Sequence, residues 1–572
     1  MDRKKLPIGI SDYKMLIEED YYYVDKTDFI RQIVEEGSFI TLLPRPRRFG
    51  KTLNLSTLRY FFEKTEGNIY RPLFNGKNIE QWKDFARYQG KYPVILITLK
   101  DCKGETFEEM LLLLARELQS EFIRHDYLRE HIEQKDYLDQ FVRLQNRKAT
   151  SDEMAGSLRL LSELLTSYWG TPPLVLLDEY DTPIHVAFDK GYYERMIGFM
   201  RNFMSLVFKD NKDIFRGVIT GILRVSKESI FSGLNNITVF SLLDRPMCTA
   251  FGFTQEETDT LLNDYSLSEE KDAVKQWYDG YLFGGLTVYN PWSVLNYIMY
   301  DGTFAPYWVN TGSDVLLRHL LADGPSQIRM GMESLIQGEP IHGVINDKLA
   351  FPDLLSEASN IWSFMLFSGY LKASDPVKDH DDLMEYTLQV PNREVRTVFF
   401  TIIRSWINNG PVKNERLELM LQALKEKNMP IFQRTLNDFV VNTLSYYDTN
   451  GREPEKVYQA FLLGMLVSSG AYEVSSNRES GLGRYDILLR PRDPNGQGVI
   501  MELKLYDPVY DKSVESVLDS ALQQIEDRQY AATLQAAGIT DILKMAITFD
   551  GKRVWVKMAG YNNCLHPTQM QK

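Results

Sequence analysis

The apolar positions between residues 38 and 250 follow two alternating patterns. Short, continuous apolar runs bounded by turn residues predict buried strands, and longer stretches with apolar residues three or four apart predict helices. The predicted strands are Phe39–Leu43, Val94–Leu99, Leu174–Leu177, Phe215–Thr220 and Ile237–Phe240, and the predicted helices among them are Thr52–Phe62, Phe107–Phe122 and Tyr192–Phe208. Strands that alternate with helices predict a mainly parallel sheet with helices on both of its faces.

Two changes of pattern divide the rest of the chain. From 253 to 440 strand-like runs become rare, and helical stretches such as Glu256–Leu262 and Asn414–Lys427 dominate. After 441 both patterns return, with predicted helices Glu455–Val467 and Ser513–Ala537 and predicted strands Ala471–Ser475, Tyr485–Leu489, Gly498–Leu505, Lys544–Phe549 and Arg553–Met558. We therefore predict an α/β multidomain protein with domains at 1–252, 253–440 and 441–572.

The segment after the first predicted strand carries a phosphate-binding pattern. Pro-Arg-Pro-Arg-Arg-Phe-Gly-Lys-Thr (44–52) leads from the strand into a helix. In a P-loop, backbone N–H groups and the helix N-terminus hold the phosphates, Lys51 reaches the β- and γ-phosphates, and the Thr52 hydroxyl ligates Mg²⁺. Arg45 stands where the consensus has its first glycine. A chance Gly-Lys-Thr at a helix start is therefore the alternative.

Two acids at the end of a later strand favour the P-loop interpretation. Asp178 and Glu179 follow the apolar run 174–177, at the sheet edge where a Mg²⁺-organising Asp and a water-activating Glu are presented. The alternative is an ordinary turn after a strand. Thr220, at the end of the next strand, and Arg224 beyond it are candidates to sense the γ-phosphate.

Five short motifs stand out in the first 300 residues. They are Leu6-Pro-Ile-Gly9, Tyr23-Val-Asp-Lys-Thr27, Arg45-Pro-Arg-Arg-Phe-Gly-Lys-Thr-Leu53, Leu177-Asp-Glu-Tyr-Asp181 and Tyr278-Asp-Gly-Tyr281. Together they resemble a bacterial family of AAA-ATPase-like proteins. The resemblance implies an additional-strand P-loop ATPase core over roughly residues 6–300, in which the arginine-rich loop is the family's own variant. It implies an ATP site formed by Arg47, Arg48, Phe49, Gly50, Lys51, Thr52 and Asp178, with Arg45 also serving the phosphates and Glu179 catalytic.

A predicted hairpin near the C-terminus brings two carboxylates and a lysine together. If the turn is centred near Pro494, Asp486 and Glu502 are equidistant from it and lie almost opposite one another in an antiparallel pair. Lys504 shares a face with Glu502. The carboxylates would hold Mg²⁺ or Mn²⁺, and the lysine would position water or stabilise charge on a phosphate. A solvated hairpin face with the same residue types is the alternative.

Further motifs surround this hairpin between about residues 450 and 560. They are Gly483-Arg-Tyr-Asp486 and Gln523-Gln-Ile-Glu ahead of Tyr530, and they accompany the Asp486–Glu502–Lys504 set in the order α-β-β-β-α-β. This combination carries a resemblance to the PD-(D/E)XK nuclease core. It implies metal-dependent cleavage with Asp486, Glu502 and Lys504 as catalytic residues. Glu455, at the start of the preceding helix, would add a metal ligand, or would simply favour the helix dipole as an N-terminal acid.

An aromatic-rich stretch lies in the middle of the chain. It contains Tyr278-Asp-Gly-Tyr281, Tyr289-Asn-Pro-Trp-Ser293 and Tyr307-Trp-Val-Asn-Thr311. Exposed aromatic rings can stack on single-stranded bases, but rings that pack a helical subdomain are the favoured interpretation.

Composition limits the function classes. The chain has 572 residues, 44% of them hydrophobic, and 65 Lys/Arg against 78 Asp/Glu give a net charge of −13. Such a chain can bury a core and has no general basic coat for nucleic acid. Residues 441–572 hold 14 Lys/Arg against 16 Asp/Glu. Three cysteines, seven scattered histidines, and the lack of a signal peptide or long apolar span indicate a cytoplasmic protein that does not enter membranes.

We therefore expect an ATPase joined through a helical middle region to a metal-dependent nuclease, with nucleotide state gating cleavage. The expected partners are ATP, Mg²⁺ (or Mn²⁺ at the nuclease-like site) and a nucleic acid, with DNA favoured over RNA. A homo-oligomer is one of the open options. The alternative is a nucleotide-switched regulatory or binding protein whose nuclease-like domain is catalytically silent.

Overall fold

The computed structural model describes most of the chain in two compact units. The described residues are 3–224, 230, 236–308, 328, 331–332, 334–335, 338–347, 351–354, 357–378, 384–399, 414–443, 458–459, 462, 465–466, 472–476, 479–493, 495–508 and 510–560. The first unit comprises Met1–Asp323 and Pro340–Val395, and the second comprises Gly324–Glu339 and Arg396–Lys572. The three-domain division at 252 and 440 stays a prediction.

The first unit is built on a five-stranded parallel sheet. Its strands are β1 (Ile40–Pro44), β2 (Val94–Thr98), β3 (Leu174–Asp178), β4 (Arg216–Gly221) and β5 (Ile237–Val239), in the order β2-β3-β4-β1-β5. Every residue of β1 and β3 is buried, as expected for parallel strands covered on both faces. β4 lies between the P-loop strand and the strand that ends in Asp178. The predicted α/β architecture of this region is confirmed.

Helices cover this sheet and agree closely with the predicted spans. They are Tyr13–Glu18, Asp28–Glu35, Lys51–Phe62, Phe85–Tyr88, Phe107–Arg124, Lys135–Gln145, Ser151–Ala155, Ser157–Trp169, Thr182–Asp189 and Tyr193–Phe208. The 18-residue helix Phe107–Arg124 begins where the Thr106 side chain accepts a hydrogen bond from the backbone N–H of Glu109. This cap satisfies one of the otherwise unpaired N–H groups at the helix start.

The middle of the chain is helical, as predicted, but it also contains small antiparallel sheets. The helices are Gln255–Asp264, Lys271–Tyr278, Pro291–Met299 and Ala358–Phe367; β6 (Tyr281–Phe283) pairs with β7 (Leu286–Val288), and β8 (Ile341–Val344), β10 (Met384–Gln389) and β9 (Lys372–Lys378) form a sheet in that order. The sequence of β9, Lys-Ala-Ser-Asp-Pro-Val-Lys, buries only Ala373. An edge strand with Asp and Pro gives no strand signal.

The second unit contains a five-stranded mixed sheet. Its strands are β11 (Tyr472–Ser476), β14 (Ile487–Pro491), β15 (Gly498–Leu505), β16 (Ile542–Asp550) and β17 (Arg553–Met558), in the order β11-β14-β15-β16-β17, and β12 (Glu479–Ser480) pairs separately with β13 (Gly483–Arg484). β15 and β16 are parallel, and the other neighbours are antiparallel. This is the predicted α/β arrangement.

Helices pack on both faces of the second sheet. They are Asn414–Lys425, Met429–Thr443, Val514–Asp527 and Ala532–Ala536. Met501 and Leu503 join one apolar core with the first two helices, whereas Ile500 faces Ile525 on the third. The single predicted helix Ser513–Ala537 is two helices, because Gln529 adopts a left-handed backbone conformation (φ 54°) that a helix cannot continue through.

Two sequence predictions, the helix Glu455–Val467 and the lack of a membrane span, can be compared only with the described residues. In the predicted helix Glu455–Val467, only 458–459, 462 and 465–466 are described, and all of them are helical. Among the described helices, none is both long and apolar enough to cross a bilayer.

Candidate functional site

The loop between β1 and the helix Lys51–Phe62 has the form of a phosphate-binding loop. Gly50 precedes the helix with φ +84°, a left-handed conformation that glycine adopts without strain. Lys51 Nζ donates to the carbonyl oxygens of Arg45 (3.1 Å) and Pro46 (3.0 Å), so this side chain spans the loop. Burial lowers the pKa of Lys51, and the carboxylates of Glu179 and Asp178 oppose this shift.

Arg45 is buried in the core, which corrects the expectation that it serves the phosphates. Its Nη1 donates to the carbonyl oxygens of Pro44 (2.8 Å) and Phe240 (2.7 Å), and its guanidinium lies 5.1 Å from the centre of the Phe251 ring. Burial lowers its pKa to about 10. Arg45 therefore anchors the start of the loop, a role that the consensus glycine cannot supply.

Arg47, Arg48 and Phe49 follow in the loop and have different partners. Arg47 and Arg48 line the cavity that faces the loop, and the Arg48 guanidinium lies 4.1 Å from the centre of the Trp292 ring. Phe49 is buried, with its ring 5.0 Å from Tyr281. The Phe49 side chain therefore packs the loop onto the middle region. The sequence analysis had assigned Phe49 only to nucleotide binding.

The helix after the loop and strand β4 both contribute hydroxyl groups to Asp178, which ends β3. Its Oδ2 accepts a hydrogen bond from Thr52 Oγ1 at 2.7 Å, and its Oδ1 accepts one from Thr220 Oγ1 at 2.6 Å. Burial raises the pKa of Asp178, and the two hydroxyl donors oppose the shift. Arg224, the second residue predicted to sense the γ-phosphate, lies after β4 and donates to Asp347 Oδ2 at 2.9 Å.

Glu179 and Asp181 follow Asp178 and take different roles. Glu179 lines the cavity, has φ +50°, and accepts from Thr182 Oγ1 at 3.3 Å. Asp181 is buried, and its Oδ2 accepts from the N–H groups of Ile222 (2.8 Å) and Leu223 (3.0 Å). It holds the chain after β4 against the acidic turn. The repeated acid in Asp-Glu-Tyr-Asp was the available signal for this residue.

A cavity of about 710 Å³ lies over the loop. Beyond the loop, its lining includes the lysines Lys100, Lys103 and Lys190 and residues of the N-terminal segment, Pro7, Gly9, Ile10, Tyr23, Val24 and Lys26. The motifs around Gly9 and Tyr23 had been noted for their resemblance only. The structure brings them to the same cavity as Lys51, which no local pattern in the sequence could reveal.

The aromatic motifs of the middle region are mostly core. Tyr278, Tyr281 and Tyr289 are buried, and the Tyr278 hydroxyl donates to the Ala305 carbonyl at 3.0 Å. This burial agrees with the packing interpretation over base stacking. Trp292 is different, since it lines the cavity and contacts Arg48.

In the second unit, the hairpin has the predicted register. Ile487 lies opposite Met501 at the end of the pairing of β14 with β15, and Asp486 and Glu502 are the next residues beyond this pair on the two arms of the hairpin. Asp486 Oδ2 accepts from the Leu503 N–H at 2.7 Å, and Lys504 Nζ donates to Glu502 Oε1 at 3.0 Å. Burial raises the pKa of Asp486, while the Leu503 N–H and the charge of Lys504 oppose the shift.

The helix Val514–Asp527 completes the surroundings of Glu502, which is 1% exposed. Gln524 Nε2 donates to Glu502 Oε1 and also to the Tyr530 hydroxyl, at 3.2 Å for the latter. Gln524 and Tyr530 also line a pocket with Gly483, Arg484, Ser520, Gln523, Asp527 and Arg528. Arg484 belongs to the motif Gly483-Arg-Tyr-Asp486, whereas Arg528 was not singled out from the sequence.

The donor atoms at both sites are the hard oxygens that Mg²⁺ and Mn²⁺ prefer. Thr52 with Asp178, and Asp486 with Glu502, therefore fit such ions chemically. Within the described part of the chain, no three His, Cys, Asp or Glu side chains gather as a metal cluster. Glu455 lies outside the described residues. Gln459, on the same predicted helix, donates to the Asp486 carbonyl oxygen at 2.9 Å.

These features define a P-loop ATPase-type unit and a nuclease-type unit in one chain, and comparisons with known proteins agree. Residues 7–231 match the family model described as "Predicted AAA-ATPase", and residues 453–559 match the one described as "PD-(D/E)XK nuclease superfamily". Both resemblances noted in the sequence are confirmed.

One curated relative and one solved structure are similar over much of the chain. The "Uncharacterized protein in vnfD 5′ region" of Azotobacter chroococcum mcd 1 is 27% identical over 544 residues, covering 94% of this chain and 95% of the relative. A Walker-type ATPase of Pyrococcus abyssi is 16% identical with a TM-score of 0.36, covering 70% of this chain and 99% of that one.

Proposed function

We propose that the first unit binds and hydrolyses ATP in the cavity over the P-loop. The observation that carries this proposal is the contact between Thr52 Oγ1 and Asp178 Oδ2, which joins the P-loop helix to the acidic strand beside the buried Lys51. Lys51 would hold the β- and γ-phosphates, and Glu179 would orient the attacking water. Mg²⁺, held by Thr52 and Asp178, would neutralise phosphate charge when bound.

The Lys51→Ala variant tests this function. We expect ATP hydrolysis to fall at least ~10³-fold, because the ammonium that donates to the loop carbonyls of Arg45 and Pro46 is lost from the proposed phosphate site. Lys14→Ala, on an exposed lysine of the helix Tyr13–Glu18, is the matched control and should keep wild-type turnover. Hydrolysis by Lys51→Ala at the wild-type rate would refute the assignment.

We further propose that the second unit cleaves nucleic acid, with DNA the first polymer to test. Asp486 and Glu502 would hold the metal ion, which would activate water and stabilise the leaving oxygen when bound. Lys504, whose ammonium contacts Glu502, would position the water or the scissile phosphate. Glu455 is proposed as an auxiliary ligand. Cleavage of single- and double-stranded DNA and RNA with Mg²⁺ or Mn²⁺ tests this function.

We propose that nucleotide state in the first unit gates cleavage by the second, which is motivated by the presence of two such sites in one chain. The second candidate function is a nucleotide-switched binding protein without cleavage. Two observations favour it. Among the described residues, the nuclease-like site does not gather three possible metal-ligating side chains, and the C-terminal region has a slightly acidic net charge. Metal-independent binding of nucleic acid with no cleavage product would select this candidate.

A further inference from the structure

The P-loop carries two arginines at positions that face the cavity. Arg47 and Arg48 line it together with Lys51 and Glu179, whereas the third arginine of the loop, Arg45, is held in the core. A guanidinium next to a phosphate site is a strong candidate for phosphate contact, because its fork of N–H donors matches two oxygens at once.

Contacts from the middle region hold both arginines in place. The indole Nε1 of Trp308 donates to the Arg47 carbonyl oxygen at 3.3 Å, and the Trp292 ring lies under the Arg48 guanidinium at 4.1 Å. Arg48 also has φ +68°, a backbone conformation that is unfavourable for a residue with a side chain. A residue with an unfavourable backbone conformation, whose side chain is stacked on a ring in the lining of a cavity, is held in a defined position and is not a freely moving surface side chain.

The charge of the two arginines reaches the catalytic groups. Burial is the main cause of the lowered pKa of both Lys51 and Arg48; the charge of Arg47 adds to the shift at Lys51, and the carboxylate of Glu179 opposes the shift at Arg48. Both guanidiniums are therefore electrostatically coupled to residues proposed to bind the phosphates and to orient the water.

Hydrolysis creates the charge that such groups stabilise. The oxygen of the attacking water bonds to the γ-phosphorus, and the bond from that phosphorus to the β–γ bridging oxygen breaks. Its electron pair stays on the terminal oxygen of ADP; of the two water protons, one stays on inorganic phosphate and the other is released to solvent. In many ATPases and GTPases an arginine stabilises this transition state, supplied either by the same chain or by a partner.

We propose that Arg47 and Arg48 are catalytic residues that contact the γ-phosphate oxygens in cis, so that one chain contains a complete hydrolytic site. This inference rests on the proposed ATPase function. It assigns the arginines to the transition state as well as to binding, and it removes the need for an arginine from a neighbouring copy.

The double variant Arg47→Ala/Arg48→Ala tests the role of the side chains. We expect kcat to fall about 10²–10³-fold, while the Kd for ATP rises less than about tenfold, because these groups act mainly on charge that develops during reaction. Arg195→Ala, on an exposed arginine paired with Glu108, is the matched control and should behave as wild type. An unchanged kcat, with or without weaker ATP binding, would overturn the proposal.

Substitution by lysine tests the same role if the alanine variant proves to be less stable than the wild type. Arg47→Lys/Arg48→Lys keeps both charges but loses the guanidinium forks, and we expect at least a ~10-fold lower kcat in a protein that melts with the wild type. A wild-type kcat in this variant would also overturn the proposal.

Complementation separates action in cis from action in trans. Arg47→Ala/Arg48→Ala has an intact Lys51, and Lys51→Ala has both arginines. If the arginines act in trans, co-expression of the two chains restores hydrolysis. We expect the mixture to stay at the level of the separate variants, and recovery of hydrolysis would refute the cis assignment.

The same set of proteins distinguishes the two proposals. If Lys51→Ala hydrolyses ATP like the wild type, the ATPase assignment itself fails. If Lys51→Ala is inactive and the arginine variant turns over normally, the ATPase assignment stands and only the cis-arginine inference fails.

Discussion

The two candidate sites surround their buried carboxylates with different partners. Asp178 accepts hydrogen bonds from the hydroxyl groups of Thr52 and Thr220, whereas Glu502 accepts from the ammonium of Lys504 and the amide of Gln524. A hydroxyl oxygen can itself ligate a divalent cation beside the carboxylate. An ammonium has no lone pair to offer, and its charge opposes a cation bound to the same oxygen.

This difference separates the metal requirements of the two units. At the proposed nucleotide site, Mg²⁺ would be held by the oxygens of Thr52 and Asp178 together with the phosphates of ATP. At the nuclease-like site a metal ion competes with Lys504 for Glu502. We therefore expect the nuclease-like site to bind a metal ion more weakly when nucleic acid is absent. We also expect removal of Lys504 to strengthen metal binding there, whereas removal of the Thr52 hydroxyl weakens metal binding at the ATPase-type site.

The largest expected effect is that of Glu502→Gln on cleavage. The substitution keeps the shape of the side chain but removes its charge, so we expect the rate of metal-dependent cleavage to fall at least ~10³-fold. ATP hydrolysis in the same preparation should not change. Glu515→Gln, at an exposed glutamate of the helix Val514–Asp527, is the control. Cleavage that survives Glu502→Gln would remove the proposed centre.

Lys504→Ala should separate metal binding from cleavage. Loss of the ammonium relieves its competition at Glu502, so we expect Mn²⁺ to bind about 3–10-fold more tightly. Cleavage should nevertheless fall about 10²-fold, because the group that positions water or phosphate is gone. Calorimetric titration with Mn²⁺ measures the affinity. In contrast, Thr52→Ala should weaken Mg²⁺-dependent ATP binding, and the same sign of change at both sites would contradict the comparison.

Arg45→Met tests the anchor of the P-loop. The apolar side chain leaves the buried carbonyl oxygens of Pro44 and Phe240 without their guanidinium donor, so we expect a loss of about 2–4 kcal/mol in unfolding free energy. Thermal melting with and without ATP measures this effect. A variant as stable as the wild type would show that Arg45 does not anchor the loop.

We expect Glu394 to make the unfolding free energy of the first unit depend on pH. This buried carboxylate accepts from Ser293 Oγ and the Trp308 N–H, both at 2.7 Å, and burial raises its pKa to about 7. Between its ordinary pKa near 4.5 and pH 7, the folded state binds more protons than the unfolded state, so stability falls as pH rises through this range. The contribution is at most about 3 kcal/mol.

Glu394→Gln should remove this dependence. We expect the melting temperature of the wild type to fall relative to that of the variant from pH 5 to pH 7.5, with little further change above. A difference that stays constant across this range would refute the raised pKa.

The sequence predicted best the parts of the fold that have one strong, local pattern. The strand limits of β15 and β17 are those predicted, because their apolar runs end sharply at turn residues. The register of β14 against β15, which pairs Ile487 with Met501, followed from the symmetry of a hairpin about its turn. The polar edge strand β9 has no such pattern, and its backbone pairing is decided by tertiary contacts.

Roles that depend on distant partners could not be predicted. Arg45 resembles the other loop arginines in sequence, and only the carbonyl of Phe240, 195 residues away, shows that it points into the core. Likewise, the residues around Gly9 and Tyr23 reach the nucleotide cavity through the fold of the whole unit. The motifs themselves were visible in the sequence, but the distant residues that surround them in the fold were not.

The most direct test of the account is nucleic-acid cleavage by the full chain under three nucleotide conditions: none, ATP and a non-hydrolysable ATP analogue. Wild type and Lys51→Ala are compared at the same metal concentration. We expect the wild-type cleavage rate to differ between ATP and the analogue, and the Lys51→Ala rate to be the same in all three. Equal wild-type rates in all conditions would contradict the proposed gating of the nuclease-like unit by the ATPase-like unit.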